Sequence, residues 1–390
     1  MLVLRNPSLI IIASRLWSAS SFPSRISHFG GRTNNITRKT TLNMSTDKHD
    51  NTNLRSGKDG SYQRHDSKHR HFISASETSA GTAKYPVEAD RYHLHVALAC
   101  PWACGTLGMI KLKGLDEVIS HSIVHPTWVK TKLDDDSDAH CGWAYRSPGD
   151  EPLPNTLGHG SNVCDDALKP DTFTNAASIR DLYAIAGDFD GPYTTPVLWD
   201  KKTNTIVSNE STEILKMLNK EFNSLSKNPD LDLYPAEFQE EMQELNDKLV
   251  YPKVNNGVYR CGFAKSQTAY NQAVTELFES LEFLEERLSK QRYLAGSTIT
   301  WLDFRLFMTL VRFDPVYVTY FKTNLKRIAD YPNLLGYVRD IYSIPAMKEV
   351  INIDHIKAHY FTSHPHLNTF GIIPVLNGPD LNVPHGRENM

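Results

Sequence analysis

Cys100-Pro101 is the dipeptide that most restricts what this chain can fold into. Residues 93–99 form a short strand-like run that ends at the cysteine, and residues 102–113 carry apolar side chains at helical spacing. A proline is favourable at the first position of a helix, where its missing N–H costs nothing. The sequence therefore predicts a strand, then Cys100 at a junction, then a helix that ends at Gly114.

The segments after this junction complete an α/β domain. Residues 118–124 favour a second strand, so the junction lies inside a strand–helix–strand unit. The later segments are, in order, a helix over 176–185, strands over 195–200 and 205–207, and an amphipathic helix over 212–222. Their order is that of a thioredoxin-like domain. From residue 234 the pattern is helical almost throughout, so we predict an α/β thioredoxin-like N-terminal domain plus an all-α C-terminal domain.

The rest of the chain divides by composition and periodicity. The helical segments in the second half are clearest over residues 238–250, 267–288 and 301–313. Thr300 and Asp303 have the spacing of a capping box before the last of them. Residues 126–175 are irregular. The predicted domains are a leader over 1–44, a polar linker or arm over 45–89, the thioredoxin-like domain over 90–224, a helical substrate domain over 225–375 and a tail over 376–390.

Cys100 stands where a cysteine becomes reactive. A helix N-terminus presents unpaired N–H groups and partial positive charge, which stabilise the thiolate, the nucleophilic form of the side chain. The alternative is a buried and inert cysteine. Because position 103 is Ala, the C-x-x-C spacing of a dithiol is absent. A single nucleophile needs an external thiol, and glutathione is the obvious one. Cys104, one helical turn further on, is either a buried helix residue or a backup resolving thiol.

Two other segments are typical of a peptide-binding and anion-binding site. Thr194 and Thr195 precede Pro196, which has the context of the proline that faces the redox cysteine in thioredoxin-like domains. There the preceding peptide bond is cis and leaves backbone groups, here those of Thr195, free to pair with a peptide ligand. The alternative is an ordinary proline at the start of a strand. Glu210 and Ser211 open a helix, as a capping pair or as a site for the γ-glutamyl carboxylate and α-ammonium of glutathione.

Several longer motifs resemble one family. In the first half these are Cys-Pro-Trp-Ala at 100–103, Lys-Leu-Lys-Gly-Leu at 111–115, the run 122–126, Thr-Pro-Val-Leu-Trp-Asp-Lys at 195–201 and Ile-Val-Ser-Asn-Glu-Ser at 206–211. In the helical half they are the runs 255–264, 312–317 and 359–364. Together they are similar to the glutathionyl-hydroquinone reductases, or Xi-class glutathione transferases, over residues 90–378. The resemblance implies the glutathione-transferase fold.

The resemblance also implies a reaction, reductive removal of glutathione from glutathionyl-hydroquinones. By it, Cys100 attacks the glutathionyl sulfur and Tyr259 protonates the aromatic carbon. Tyr317 and Tyr360 match tyrosines that line the quinone pocket and help to stabilise the thiolate, and Trp143 matches the tryptophan that packs on glutathione. The implied partners are glutathione as co-substrate, an aromatic glutathionyl-hydroquinone and a second copy in a homodimer. We expect no metal and no tightly bound cofactor.

The chain departs from the family's pattern close to the nucleophile. His and Arg usually follow Cys-Pro-Trp-Ala, where this chain has Cys104 and Gly105, and Gly usually precedes the cysteine, where it has Ala99. The loop before Trp143 is longer and carries an acidic run. A basic residue often found before the Thr-x-Pro segment is replaced by Pro192 or Tyr193.

The first 44 residues have the composition of an organellar transit peptide. They hold six basic residues and no acidic one, and are rich in serine. We therefore expect a mitochondrial location, or a cytoplasmic one if translation starts at Met44. The remaining chain has 36 basic and 45 acidic residues, a net charge of −9, which gives no support for nucleic-acid binding. No run of apolar residues is long enough for a membrane span. The five cysteines are sparse for this length, which indicates a reducing compartment.

Two other functions are compatible with the same motifs. One is an omega-like thiol transferase or dehydroascorbate reductase, which needs Cys100 but none of the three tyrosines. The other is a non-catalytic binding protein that keeps the glutathione-transferase fold, a hypothesis motivated by Cys104 and Gly105 beside the nucleophile.

Overall fold

The structure is a computed structural model that describes residues 56–75, 84–155 and 159–390. The leader predicted over residues 1–44, together with its destination, lies outside the described residues. Within the described ranges, no helix has both the length and the apolar character that crossing a membrane requires.

Through residue 220, the described residues form short strands and three α-helices. In chain order the elements are β1 (Tyr92–Val96), α1 (Pro101–Lys113), β2 (Ser120–Ile123), β3 (Val129–Lys130), β4 (Cys141–Gly142), β5 (Leu153–Pro154), β6 (Ser161–Asn162), α2 (Ile179–Ile185), β7 (Val197–Asp200), β8 (Thr205–Ser208) and α3 (Ser211–Lys220). One sheet has the strand order β2-β1-β7-β8, with β1 parallel to β2 and the other pairs antiparallel. Two small antiparallel pairs, β3 with β4 and β5 with β6, lie in the segment predicted to be irregular.

The four-stranded sheet is covered on both faces. Leu94 and Leu198 belong to the apolar cluster that includes the buried side chains of α1 and α3, whereas Val197 and Trp199 belong to a second cluster with α2. Because both faces are covered, all five residues of β1 are buried. The strand alternates apolar side chains with His93 and His95, and the cover on both faces buries the two histidines as well.

The second half of the chain is helical. Its helices are α4 (Gln239–Leu245), α5 (Gly257–Gly262), α6 (Gln267–Leu288), α7 (Trp301–Arg312), α8 (Val318–Tyr320), α9 (Pro332–Tyr342), α10 (Pro345–Val350) and α11 (Ile353–Thr362). π-helical segments follow α4 over Asn246–Asn255 and follow α7 over Phe313–Tyr317. The described part of the chain thus has the predicted fold class, which is confirmed.

Local sequence signals account for some of the helix ends. Gly114 ends α1 in a left-handed conformation, with φ of 61°. Thr300 and Asp303 form the expected capping box at the start of α7. The helix predicted over 238–250 is wrong in its second half, where the backbone widens into the π-helical segment. Pro252 lies inside that segment and has no N–H to donate, so it cannot continue a regular helix.

Candidate active site

Cys100 lies between the end of β1 and the start of α1. It is the N-cap residue of a 13-residue helix, with φ of −76° and ψ of 118°, and its side chain makes no capping bond. The half-buried thiol is 3.5 Å from the backbone oxygen of Thr195, to which it donates. The sulfur is therefore held at a helix N-terminus, the location that favours a thiolate nucleophile.

Arg312 of α7 fixes the loop that carries this cysteine. Its guanidinium donates to the carbonyl oxygens of Leu98 at 2.8 Å and Ala99 at 3.1 Å, and the side chain is fully buried. A third bond, of 2.7 Å, goes to the carbonyl oxygen of Met308 in its own helix. The helical half thus holds the nucleophile loop of the thioredoxin-like half through a single side chain. Arg312 lay in a motif used for the resemblance, but nothing in the sequence showed this contact.

The environment of Cys104 does not favour a role as a resolving thiol. It is fully buried, and its thiol donates to the carbonyl oxygen of Val350 at 3.0 Å. Burial raises the pKa of the Cys104 thiol, which disfavours its reactive thiolate form. Gly105 lies against α7, since an added Cβ would be 3.7 Å from the side chain of Met308. Of the two alternatives for Cys104, the geometry supports a buried helix residue.

The Thr-x-Pro segment faces the cysteine. The Thr195–Pro196 peptide bond is cis, as the context of Pro196 predicted. The Tyr183 hydroxyl donates to the carbonyl oxygen of Thr194 at 3.1 Å, and Asn209 donates to that hydroxyl at 2.8 Å. This network ties the segment to the residues just before α3.

Glu210 and Ser211 form the start of α3. The Glu210 carboxylate accepts from the backbone N–H of Thr212 at 3.1 Å and from the hydroxyl of Ser67 at 2.9 Å. Ser211 is the buried first residue of this ten-residue helix. The capping function of Glu210 is therefore present, and the start of α3 adds partial positive charge beside its carboxylate.

Three tyrosine hydroxyls meet in the helical half. The Tyr259 and Tyr360 oxygens are 2.6 Å apart, and those of Tyr317 and Tyr360 are 3.1 Å apart. Burial raises the pKa of Tyr259 and of Tyr360 well above the ordinary value of 10, so both are neutral proton carriers at neutral pH. Cys100 is among the groups whose charge acts on Tyr259 and Tyr317. The thiol and the phenols therefore lie near one another where the two halves of the protein meet, a region called the cleft below.

Trp143 packs against a histidine of α11. The indole is buried and stacks on the His359 ring, with centroids 4.3 Å apart and an interplanar angle of 28°. The Nδ1 of His359 is 3.0 Å from the carbonyl oxygen of Pro126, so that nitrogen carries the proton. Burial lowers the pKa of His359 well below 6.5, which keeps the ring neutral. No role for this histidine was predicted from the sequence.

In the described residues, no basic side chain directly takes the place of the basic residue that the family often has before the Thr-x-Pro segment. Tyr193 packs beneath the guanidinium of Arg180, which is 5.7 Å from the ring centroid. That guanidinium is held by two bonds of 2.8 and 2.6 Å to Asp138, just after the acidic run of the longer loop. In the described ranges, no group of three or more His, Cys, Asp or Glu is arranged to hold a metal ion.

Comparisons with protein families agree with this arrangement. Residues 99–221 match the model "Glutathione S-transferase, N-terminal domain", and residues 267–340 match "Glutathione S-transferase, C-terminal domain". A cysteine at the start of α1, a cis-proline segment facing it and a helical second half define the chain as a glutathione transferase in fold.

Comparisons with individual proteins show which group of glutathione transferases the chain resembles. The chain is 45% identical to the glutathionyl-hydroquinone reductase YqjG of Escherichia coli K12 over 84% of this chain and 93% of that protein. The glutathione-bound structure of YqjG matches with a TM-score of 0.70, over 83% of this chain and 96% of that one. The Xi glutathione S-transferase of Phanerochaete chrysosporium matches at 41% identity and a TM-score of 0.73, over 86% and 98%.

A third relative has a different name. The chain is 38% identical to the glutathione S-transferase omega-like 2 of Schizosaccharomyces pombe, over 85% of this chain and 97% of that protein. These matches cover nearly the whole length of each relative. The chain belongs to the glutathionyl-hydroquinone reductase, or Xi-class glutathione transferase, family, and the resemblance found in the sequence is confirmed.

Proposed function

We propose that the protein is an enzyme that reduces glutathionyl-hydroquinones to hydroquinones and releases oxidised glutathione. The observation that supports this most is the shared cleft, in which the Cys100 thiol and the linked hydroxyls of Tyr259, Tyr317 and Tyr360 lie together. Relatives named glutathionyl-hydroquinone reductase support it independently.

The first half of the reaction follows from these groups. The Cys100 thiolate attacks the glutathionyl sulfur, so an S–S bond forms while the bond between sulfur and the aromatic carbon breaks. The electron pair of that bond stays on the carbon. Tyr259 donates its proton there, which yields the hydroquinone and leaves a tyrosine oxyanion. Tyr360, hydrogen-bonded to Tyr259, provides the path by which a proton returns.

The second half restores the cysteine. A second glutathione thiolate attacks the glutathione sulfur of the mixed disulfide, which releases oxidised glutathione and the Cys100 thiolate. We assign glutathione binding to Trp143, the Thr194-Thr195-Pro196 segment and the Glu210-Ser211 helix start. In this assignment, Thr195 pairs through its backbone, while Glu210 holds the α-ammonium beside the helix N-terminus.

An omega-like thiol transferase is the second candidate, and the name of the fission-yeast relative favours it. It uses Cys100 and needs no proton donor to carbon. The non-catalytic alternative loses its motivation, because Cys104 is buried against Val350 and Gly105 against α7, which leaves the Cys100 position intact.

Release of hydroquinone decides between these functions. The protein and its Cys100→Ser variant are incubated with glutathione and a glutathionyl-hydroquinone, and the products are separated by chromatography. We expect release by the wild type and none above background by the variant. Absence of release by the wild type, with reduction of a small glutathionyl disulfide intact, would establish the thiol transferase instead.

Assembly and location are further parts of the proposal. We propose a homodimer and import into the mitochondrion, with a cytoplasmic form if translation starts at Met44. Light scattering of the purified protein tests the first, and mass spectrometry of the mature N-terminus tests the second. A monomeric mass, or a protein in the organelle that still carries residue 1, would contradict them.

A further inference from the structure

Residues 56–75, here called the strap, cross the cleft from one half of the protein to the other. At one end, the backbone N–H of Lys265 donates to the carbonyl oxygen of Gly60 at 2.8 Å, and Ser266 donates to that of Asp59 at 2.7 Å. At the other end, His69 and Asn209 exchange two bonds of 3.0 and 3.1 Å. The segment between these anchors therefore has a defined path over the active site.

That path places Arg64 beside the proton donor. The guanidinium carbon of Arg64 is 4.7 Å from the ring centroid of Trp102 and 5.9 Å from that of Tyr259. Tyr62 of the strap stacks on Tyr259, with centroids 6.4 Å apart and an interplanar angle of 26°. Trp102 is two residues after the nucleophile, and Cys100 is among the groups that act on the charge of Arg64, so Arg64 lies near the thiol as well.

The charge of Arg64 is not neutralised by a carboxylate. Among the described residues, no Asp or Glu forms an ion pair with it. The groups that act on its charge are Tyr62, Tyr251, Tyr259 and Cys100. Another cation of the strap, Lys68, does pair with a carboxylate, that of Asp188, at 3.5 Å. The lack of a carboxylate partner is therefore not shared by all basic residues of the strap.

We propose that Arg64 is a positioning residue that offsets the negative charge left on Tyr259 after this tyrosine has donated its proton to the aromatic carbon. This inference rests on the proposed function. During that step Cys100 is already in the mixed disulfide and carries no charge. Tyr317 and Tyr360 are neutral phenols, and Arg312, which faces those two, is bound to carbonyl groups behind the cysteine.

The charge of Arg64 therefore affects the rate of the protonation step and not the rate of the thiol exchange. The Arg64 guanidinium carbon is 5.9 Å from the centroid of the Tyr259 ring. A cation at about that separation from an oxyanion, at a site open to solvent, contributes a factor of roughly three to thirty in rate. Because Arg64 is exposed, dissolved salt screens its charge. At high salt, the contribution of Arg64 to the rate should therefore lie in the lower part of that range.

Two reactions catalysed by the same cysteine test the inference. Release of hydroquinone needs a proton on carbon, whereas reduction of a small glutathionyl disulfide needs only Cys100. Arg64→Met should lower kcat for hydroquinone release about three- to thirty-fold and leave disulfide reduction unchanged within about twofold. Arg64→Lys should restore most of the lost rate. Lys68→Met, which removes one positive charge from the same strap, should match the wild type in both reactions.

Each other outcome has a distinct meaning. Equal losses in both reactions would overturn the inference, because Arg64 would then act on Cys100 or on glutathione binding. Arg64→Lys as slow as Arg64→Met, or Arg64→Met as fast as the wild type, would also overturn it. If the wild type releases no hydroquinone, the proposed function itself fails and the inference fails with it.

Discussion

The hydroxyl oxygens of Tyr259 and Tyr360 are 2.6 Å apart, although the two residues are 101 positions apart in the chain. Tyr259 comes from α5 and Tyr360 from α11, and Tyr317 adds a third hydroxyl from the π-helical segment after α7. A phenol that is buried and bonded to other phenols keeps its proton at neutral pH, yet it has a neighbour from which to recover one. In the proposed reaction this pair supplies the proton to the aromatic carbon, a step that simple disulfide exchange does not need.

Tyr259→Phe should therefore separate two activities. Hydroquinone release should fall by about two to four orders of magnitude, the range for loss of a general acid. Reduction of a small glutathionyl disulfide should stay within about twofold of the wild type, since no proton on carbon is required. Tyr270→Phe is the matched control, because the Tyr270 hydroxyl donates to the carbonyl oxygen of Lys322 instead. Equal losses in both reactions would show that Tyr259 is not the proton donor.

Glu210→Gln should weaken glutathione binding more than it slows chemistry. A charge-assisted bond to the α-ammonium is lost, so KM for glutathione should rise about tenfold or more, while kcat changes little. Glu213→Gln, one turn further along the same helix and paired with Arg70, should leave KM nearly unchanged. Steady-state kinetics with varied glutathione measure both. A fall in kcat with KM unchanged would remove Glu210 from the binding site.

Arg312→Met should destabilise the protein by about 2–4 kcal/mol, because two buried carbonyl groups lose their charged donor. Since those carbonyls belong to Leu98 and Ala99, hydroquinone release should also fall as the cysteine loop loosens. Arg327→Met is the control, since it breaks only a solvent-exposed pair with Asp330 and should leave the unfolding midpoint nearly unchanged. Urea unfolding gives the free energies, and a wild-type midpoint for Arg312→Met would contradict the prediction.

Acid should destabilise the fold from pH 6.5 downward. Burial lowers the pKa of His95 and of His364 to about 3, and it also lowers the pKa values of His93 and His359 below 6.5. As pH falls below 6.5, the unfolded chain binds a proton at each of these histidines and the folded protein does not. Each one then removes about 1.4 kcal/mol of stability per pH unit until its folded pKa is reached.

The urea midpoint measures this loss. It should fall steeply between pH 6.5 and about pH 5, because four such histidines together remove an amount comparable to the whole stability of a typical domain. A midpoint that is unchanged between pH 7.5 and pH 5.5 would show that these histidines are protonated in the folded protein.

Much of the fold was accessible from sequence because its signals are local. Pro101 and Gly114 mark the two ends of α1, and the capping box at Thr300 and Asp303 marks the start of α7. Helix α6 coincides with the predicted segment 267–288. Each of these features depends on neighbours within one turn of the chain, so no tertiary information is needed to find it.

The parts that were missed depend on long-range contacts. Arg312 reaches the cysteine loop across more than 200 positions, and His359 stacks on Trp143 from the far end of the chain. The strap holding Arg64 comes from a polar segment with no periodic pattern, so its path over the cleft had no sequence signal. Cys104 stayed ambiguous for the same reason, because only the position of Val350 shows which way its thiol points.

A single turnover without free glutathione tests the central claim most directly. The protein is mixed with excess glutathionyl-hydroquinone alone, quenched in acid, and analysed for released hydroquinone and for the peptide that contains Cys100. We predict one equivalent of hydroquinone per site and one glutathione joined by a disulfide to Cys100, with Cys104 unmodified. Hydroquinone released without that adduct, or an adduct on another cysteine, would contradict the account.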